Sequence, residues 1–91
     1  VWISAVAVAS QRELPVSPAE VRRMVTELRG ASLLDGFRGA TPVNLDELAR
    51  MVSRIGDAAL ALGDTLDTLE VNPLLAEGDR IEALDALATY R

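Results

Sequence analysis

At Gly63 the spacing of apolar residues changes from that of a helix to that of strands. Upstream, apolar side chains recur every three to four residues as far back as Asn44, a suitable N-cap, and Glu47 completes a variant of the capping box. Downstream, residues 66–72 and 80–86 alternate in part between apolar and polar side chains, which is typical of strands. The sequence therefore predicts a long helix followed by a β-hairpin.

The first half of the chain predicts a buried strand and a shorter helix. Residues 1–14 begin with a run rich in Val and Ala, and Pro15 closes the segment. Ser17 is a candidate N-cap for a helix that continues to about Arg29. The expected buried stripe of this helix consists of Val21, Met24, Val25 and Leu28. That of the longer helix consists of Leu45, Leu48, Val52, Ile55, Ala59 and Leu62. This order predicts an α+β fold, with a small mixed or antiparallel sheet, a C-terminal β-hairpin and the helices on one face.

Composition excludes several classes of function. The chain has 91 residues and a formal net charge of −5, and its nine basic residues are all Arg. Scattered arginines on an acidic chain argue against nucleic-acid binding, which needs a clustered basic face. The absence of His and Cys excludes an imidazole base and thiolate chemistry within this chain. The apolar run at residues 1–9 is shorter than the roughly 20 residues that span a bilayer, so no membrane segment is expected.

The predicted hairpin places three oxygen-bearing side chains together. With Gly78-Asp79 as a two-residue turn, Asn72 lies directly opposite Asp85, and Glu70 lies two residues away on the same face. Carboxylate and amide oxygens on adjacent strands are suitable ligands for Mg²⁺. The alternative is that Asn72-Pro73 simply ends a strand and that Asp85 faces solvent at a sheet edge.

Several motifs occur in the order found in one enzyme family. Residues 69–75 (Leu-Glu-Val-Asn-Pro-Leu-Leu) and 83–86 (Ala-Leu-Asp-Ala) resemble the end of the ATP-grasp domain in succinyl-CoA synthetase β-subunits and ADP-forming acyl-CoA synthetases. Residues 28–30 (Leu-Arg-Gly) and 33–39 (Leu-Leu-Asp-Gly-Phe-Arg-Gly) are similar to a second signature of that family, and residues 12–15 have a similar spacing before the first helix. The resemblance covers nearly the whole chain.

The resemblance implies a role for each member of the predicted cluster. Asn72 and Asp85 would hold the Mg²⁺ that bridges the phosphates of ATP or ADP. Glu70 would act as the catalytic contact to a mobile phosphohistidine loop supplied by another part of the enzyme. The implied reaction converts acyl-CoA, ADP and phosphate to free acid, CoA and ATP, or runs in reverse. Val8 departs from the family, which often has an acidic residue at this place.

The same resemblance implies that residues 1–91 form a single partial domain, the C-terminal subdomain of an ATP-grasp module, which is inactive alone. Its expected partners are nucleotide, the rest of the ATP-grasp domain and a CoA-binding domain with the phosphohistidine, in a cytoplasmic enzyme. The face that meets these partners is a candidate surface for homodimerisation of the isolated chain. The alternative is a non-enzymatic, acidic α+β interaction module, in which Asn72 and Asp85 would not converge.

Overall fold

The computed structural model describes residues 2–8, 15–27 and 41–91. In chain order the elements are β1 (Trp2–Val8), α1 (Pro18–Thr26), α2 (Leu45–Ala61), β2 (Leu66–Glu77), β3 (Arg80–Ala83) and β4 (Ala86–Tyr90). α2 packs against the sheet and α1 packs against α2. The predicted α+β class, with a C-terminal hairpin and helices on one face, is confirmed. Neither of the described helices is long and apolar enough to cross a membrane.

The sheet is built around β2, which pairs with β1 along one edge and with both β3 and β4 along the other. All pairings are antiparallel. β3 and β4 behave as one strand interrupted at residues 84–85, since β3 pairs with the second half of β2 and β4 with the first. The sheet is therefore antiparallel rather than mixed.

Both helices begin at the predicted caps. The Ser17 side chain accepts a hydrogen bond from the Glu20 N–H at 3.2 Å. The Asn44 side chain accepts from the backbone N–H groups of Asp46 and Glu47 at 3.1 and 3.2 Å. α2 ends as expected, because Gly63 follows it with a φ of +95°, a conformation that favours glycine. The first helix is shorter than predicted, because α1 ends at Thr26 with Glu27 as its C-cap rather than near Arg29.

The core lies between α2 and the helix-facing side of the sheet. Its buried members are Ala7, Val43, Leu48, Ile55, Ala59, Leu66, Leu69, Val71, Leu74 and Ala76. Of the predicted stripe residues that the structure describes, Met24 at 54% and Leu62 at 43% are exposed instead, and Leu28 lies outside the described residues. α1 contacts mainly α2, so its buried surface is narrow and only Val21 is fully buried. Leu62 is the C-cap of α2 and no longer follows the helical stripe.

β2 changes the side that it presents to the helices at Asn72-Pro73. Leu69 and Val71 are buried just before this point and Leu74 and Ala76 just after it, and Leu66 at the start of β2 is buried as well. Two residues of β2 stand against the single residue Ser4 of β1, which is a β-bulge, and the Asn72-Pro73 peptide is cis. Buried residues are odd-numbered just before the bulge and even-numbered after it. The extra residue at the bulge therefore allows both halves of β2 to direct apolar side chains into the core.

The hairpin turn is attached to the start of α2. The Asn44 N–H donates to the Gly78 carbonyl at 2.8 Å, and Asn44 Nδ2 donates to Asp79 Oδ1 at 2.7 Å. Gly78 has a φ of +56°, and a Cβ at this position would lie 3.2 Å from Thr41 Cγ2. Asn44 thus fixes the far end of the hairpin relative to the helix.

Candidate functional site

The strand register brings Asn72 opposite Asp85. The pairs Leu74–Ala83 and Val71–Ala86 flank them on either side. The backbone N–H of Asn72 donates to the Asp85 carbonyl at 3.1 Å. The predicted register of the hairpin is therefore confirmed, although the two residues fall at the interruption between β3 and β4.

Glu70 and Asn72 lie on the outer face, the side of the sheet away from α1 and α2. Their neighbours Leu69 and Val71 are buried on the helix side, and strand residues alternate between faces. The Glu70 carboxylate accepts a hydrogen bond from Asn72 Nδ2 at 3.4 Å, which confirms that the two side chains share a face. Asp85 shares it because it lies directly opposite Asn72. We call Glu70, Asn72 and Asp85 the oxygen-donor set.

Two members of the oxygen-donor set each use one polar atom within the protein and keep one oxygen unbound. Asn72 donates its Nδ2 to Glu70, and Asp85 Oδ1 accepts from the Ala86 N–H at 2.9 Å. Within residues 2–8, 15–27 and 41–91, neither Asn72 Oδ1 nor Asp85 Oδ2 has a hydrogen-bond partner. Both side chains are exposed. Within this part of the chain, two hard oxygen atoms on adjacent strands are therefore without a partner.

The donors of the oxygen-donor set fit magnesium. Directly opposed residues have Cβ atoms about 4.5–5.5 Å apart, a separation from which two side chains can reach one cation. Mg²⁺ prefers oxygen ligands and usually keeps several waters, using only one or two protein groups plus substrate phosphates. No group of three or more His, Asp or Glu side chains in the described part of the chain is placed to hold a metal ion. Asn72 and Asp85 are therefore candidates for the one or two protein ligands that magnesium usually takes.

Several large apolar side chains of the strands and of the segment around the oxygen-donor set are exposed. Leu87, opposite Glu70, is 60% exposed, and Trp2, opposite Leu75, is 64% exposed. Leu84 and Tyr90 of the same hairpin strand are also exposed.

An antiparallel sheet with helices on one face and a C-terminal hairpin is the architecture of an ATP-grasp lobe. The sequence profile of the ATP-grasp domain matches residues 3–89. The chain therefore belongs to the ATP-grasp family.

Within that family, the chain is similar to ADP-forming ligases. It is 32% identical over 77 residues to the acetate–CoA ligase [ADP-forming] I subunit beta of Pyrococcus furiosus, a match that covers 85% of this chain and 33% of that protein. It is 34% identical over 71 residues to a trans-feruloyl-CoA synthase from an unknown prokaryotic organism, covering 76% of this chain and 10% of that protein. The chain thus spans about a third, or less, of the length of these relatives.

Solved structures give the same result. The dinucleotide-forming acetyl-coenzyme A synthetase 1 of Ca. Korarchaeum cryptofilum, in its apo form, matches with a TM-score of 0.78 at 28% identity. The match covers 88% of this chain and 38% of that chain. The same protein in complex with coenzyme A and Mg-AMPPCP, with its phosphohistidine segment pointing towards the nucleotide site, matches with a TM-score of 0.77. The resemblance to ADP-forming acyl-CoA synthetases is confirmed.

Proposed function

We propose that this chain is the C-terminal subdomain of the ATP-grasp domain of an ADP-forming acyl-CoA synthetase. Its outer face would bind the magnesium nucleotide during phosphoryl transfer between ATP or ADP and a phosphohistidine. The observation that carries this proposal is the direct opposition of Asn72 and Asp85, each with an unbound oxygen. The similar synthetase that was solved with Mg-AMPPCP supports the choice of ligand.

Each residue of the oxygen-donor set has a distinct task in this proposal. Asn72 and Asp85 hold the magnesium, which when bound neutralises phosphate charge and orients the transferring group. Glu70 lies beside them on β2 and is the catalytic contact to the incoming imidazole. A carboxylate that accepts from one imidazole nitrogen fixes the tautomer and orientation of the ring, leaving the other nitrogen for the phosphoryl group.

The remaining machinery belongs to other parts of the protein. This chain contains neither His nor Lys, so the phosphohistidine and any phosphate-binding lysine come from outside residues 1–91. The partners are then the rest of the ATP-grasp domain and a CoA-binding domain, and residues 1–91 alone are inactive. The reaction is acyl-CoA with ADP and phosphate to free acid, CoA and ATP, in either direction. The alternative, an acidic interaction module, does not explain the opposed Asn72 and Asp85.

The proposal is tested by adding Mn²⁺, a paramagnetic substitute for Mg²⁺, with ATP to the isotope-labelled 91-residue chain. We expect the amide resonances of residues 70–72 and 83–87 to broaden first. Asp85→Asn and Asn72→Ala should each weaken this localised binding at least about tenfold, because the first removes the charge of a metal ligand and the second removes a ligand altogether.

The control is Asp57→Asn, which removes one negative charge from the exposed side of α2 and leaves the outer face intact. This variant should bind Mn²⁺ with ATP as the wild type does. Uniform broadening around all acidic residues, or an equal loss in Asp57→Asn and Asp85→Asn, would show unspecific attraction to an acidic chain and would contradict the proposed site.

A further inference from the structure

The hydrogen bond to Glu70 determines which way the side-chain amide of Asn72 is turned. Without a partner, this amide could adopt either of two orientations related by a flip of about 180°. An Asn side chain carries a donor end, Nδ2, and an acceptor end, Oδ1. Only the acceptor oxygen, Oδ1, can coordinate a cation. In this structure Nδ2 is directed to the Glu70 carboxylate at 3.4 Å, which leaves Oδ1 as the unbound end.

Without Glu70, the neighbouring Asp85 would favour the opposite orientation. Asp85 is a carboxylate directly across the strand pair, and a carboxylate attracts the NH₂ end of an amide. That arrangement would direct Nδ2 into the space between Asn72 and Asp85. Glu70 acts against it, because a flipped amide would lose the hydrogen bond to Glu70 and would place its oxygen against the Glu70 carboxylate.

We propose that Glu70 is a positioning residue for Asn72: it holds the amide with Nδ2 towards itself, so that Oδ1 is presented beside Asp85. This inference rests on the proposed function, because it concerns the orientation of a magnesium ligand. It gives Glu70 a task before any phosphohistidine arrives. Because the two residues are two positions apart on β2, the backbone of one strand sets the spacing that the hydrogen bond requires.

The hydrogen bond can be tested without any metal. The sequence contains only three side-chain amides, those of Gln11, Asn44 and Asn72, so their NH₂ resonances are readily separated by amide NMR. In Glu70→Ala we expect the Asn72 pair to shift and to exchange faster with water. The Asn44 pair, which is bonded to Asp79, should stay unchanged and serves as the internal control. An unchanged Asn72 pair in Glu70→Ala would overturn the inference.

A double-mutant cycle then tests whether the hydrogen bond matters for the cation. Gln at position 70 keeps an acceptor oxygen but loses the charge, whereas Ala loses both. With Mn²⁺ and ATP as the probe, Glu70→Ala should bind about tenfold more weakly than Glu70→Gln, the range found for groups that orient a metal ligand. In the Asn72→Ala background this difference between Ala and Gln at position 70 should disappear.

The outcomes separate the inference from the proposed function. If the wild type binds Mn²⁺ at the oxygen-donor set but the Ala and Gln variants of Glu70 bind equally well, the inference is overturned and the magnesium site stands. If the difference between them persists in Asn72→Ala, Glu70 acts on the ion directly and the inference is again overturned. If the wild type shows no localised binding, the magnesium role of Asn72 and Asp85 in this chain fails, while the NH₂ resonances still decide whether Glu70 fixes Asn72.

Discussion

At the scale of single residues, Asn44 joins the two structural halves of the chain. Its side-chain oxygen caps α2, its Nδ2 bonds to Asp79 and its backbone N–H bonds to the Gly78 carbonyl. Asn44→Ala should lower the free energy of unfolding by about 2 kcal/mol, since it removes an N-cap and one hydrogen bond to a carboxylate. Urea denaturation followed by circular dichroism measures the change.

Two further variants separate the contributions of Asn44. Asn44→Ser keeps a capping oxygen but cannot reach Asp79, so it should cost roughly half as much as Asn44→Ala. Ser17→Ala removes the cap of α1, which has no such tertiary bond, and should cost about 1 kcal/mol. If Asn44→Ala and Ser17→Ala proved equally mild, the bond to Asp79 would contribute nothing to stability.

At the scale of elements, the hairpin turn fits closely against the segment before α2. Gly78→Ala should be destabilising for two reasons: the φ of +56° disfavours a Cβ, and the new atom would lie 3.2 Å from Thr41 Cγ2. Gly63→Ala has the first cost alone, because nothing lies within 4 Å of a Cβ built there. Thr41→Ser removes the contacting methyl group and should recover part of the loss in Gly78→Ala but none in Gly63→Ala, as measured by urea denaturation. Equal recovery in both would exclude the steric contact.

The elements that could be predicted from the sequence are those fixed by local residues. The caps at Ser17 and Asn44, the turn at Gly78-Asp79 and the hairpin register all depend on short-range chemistry, and all are confirmed. The change of the buried face at Asn72-Pro73 could not be predicted, because it requires β1 as a partner in pairing.

The oxygen-donor set was predictable for the same reason as the register. Once the turn is known, counting residues along two strands places Asn72 opposite Asp85. The hydrogen bond that orients the Asn72 amide could not be obtained by counting, since it depends on side-chain rotation. The roles of the three residues remain predictions until binding is measured.

At the scale of the whole molecule, the two sides of the sheet differ in what covers them. The helix side contains the buried core, with Leu66, Leu74 and Ala76 at 0% exposure. The outer face carries the oxygen-donor set together with exposed Leu87 and Trp2. In the proposed synthetase this face meets nucleotide and the rest of the domain, so the isolated chain presents to water a surface suited to contact.

We expect the isolated chain to self-associate through this outer face. Leu87→Lys should raise the dimer dissociation constant at least about tenfold, because burial of a leucine contributes about 1.5–3 kcal/mol and each 1.4 kcal/mol is a factor of ten. Leu60→Lys is the matched control: Leu60 lies on α2 and is 50% exposed, so the same charge is added away from the sheet. Sedimentation velocity over a range of protein concentrations measures both variants.

A wild type that stays monomeric throughout, or a larger effect of Leu60→Lys, would mean that the outer face does not drive association. Dissociation by Leu87→Lys alone would show that the molecule associates through this face, as expected for an exposed apolar surface.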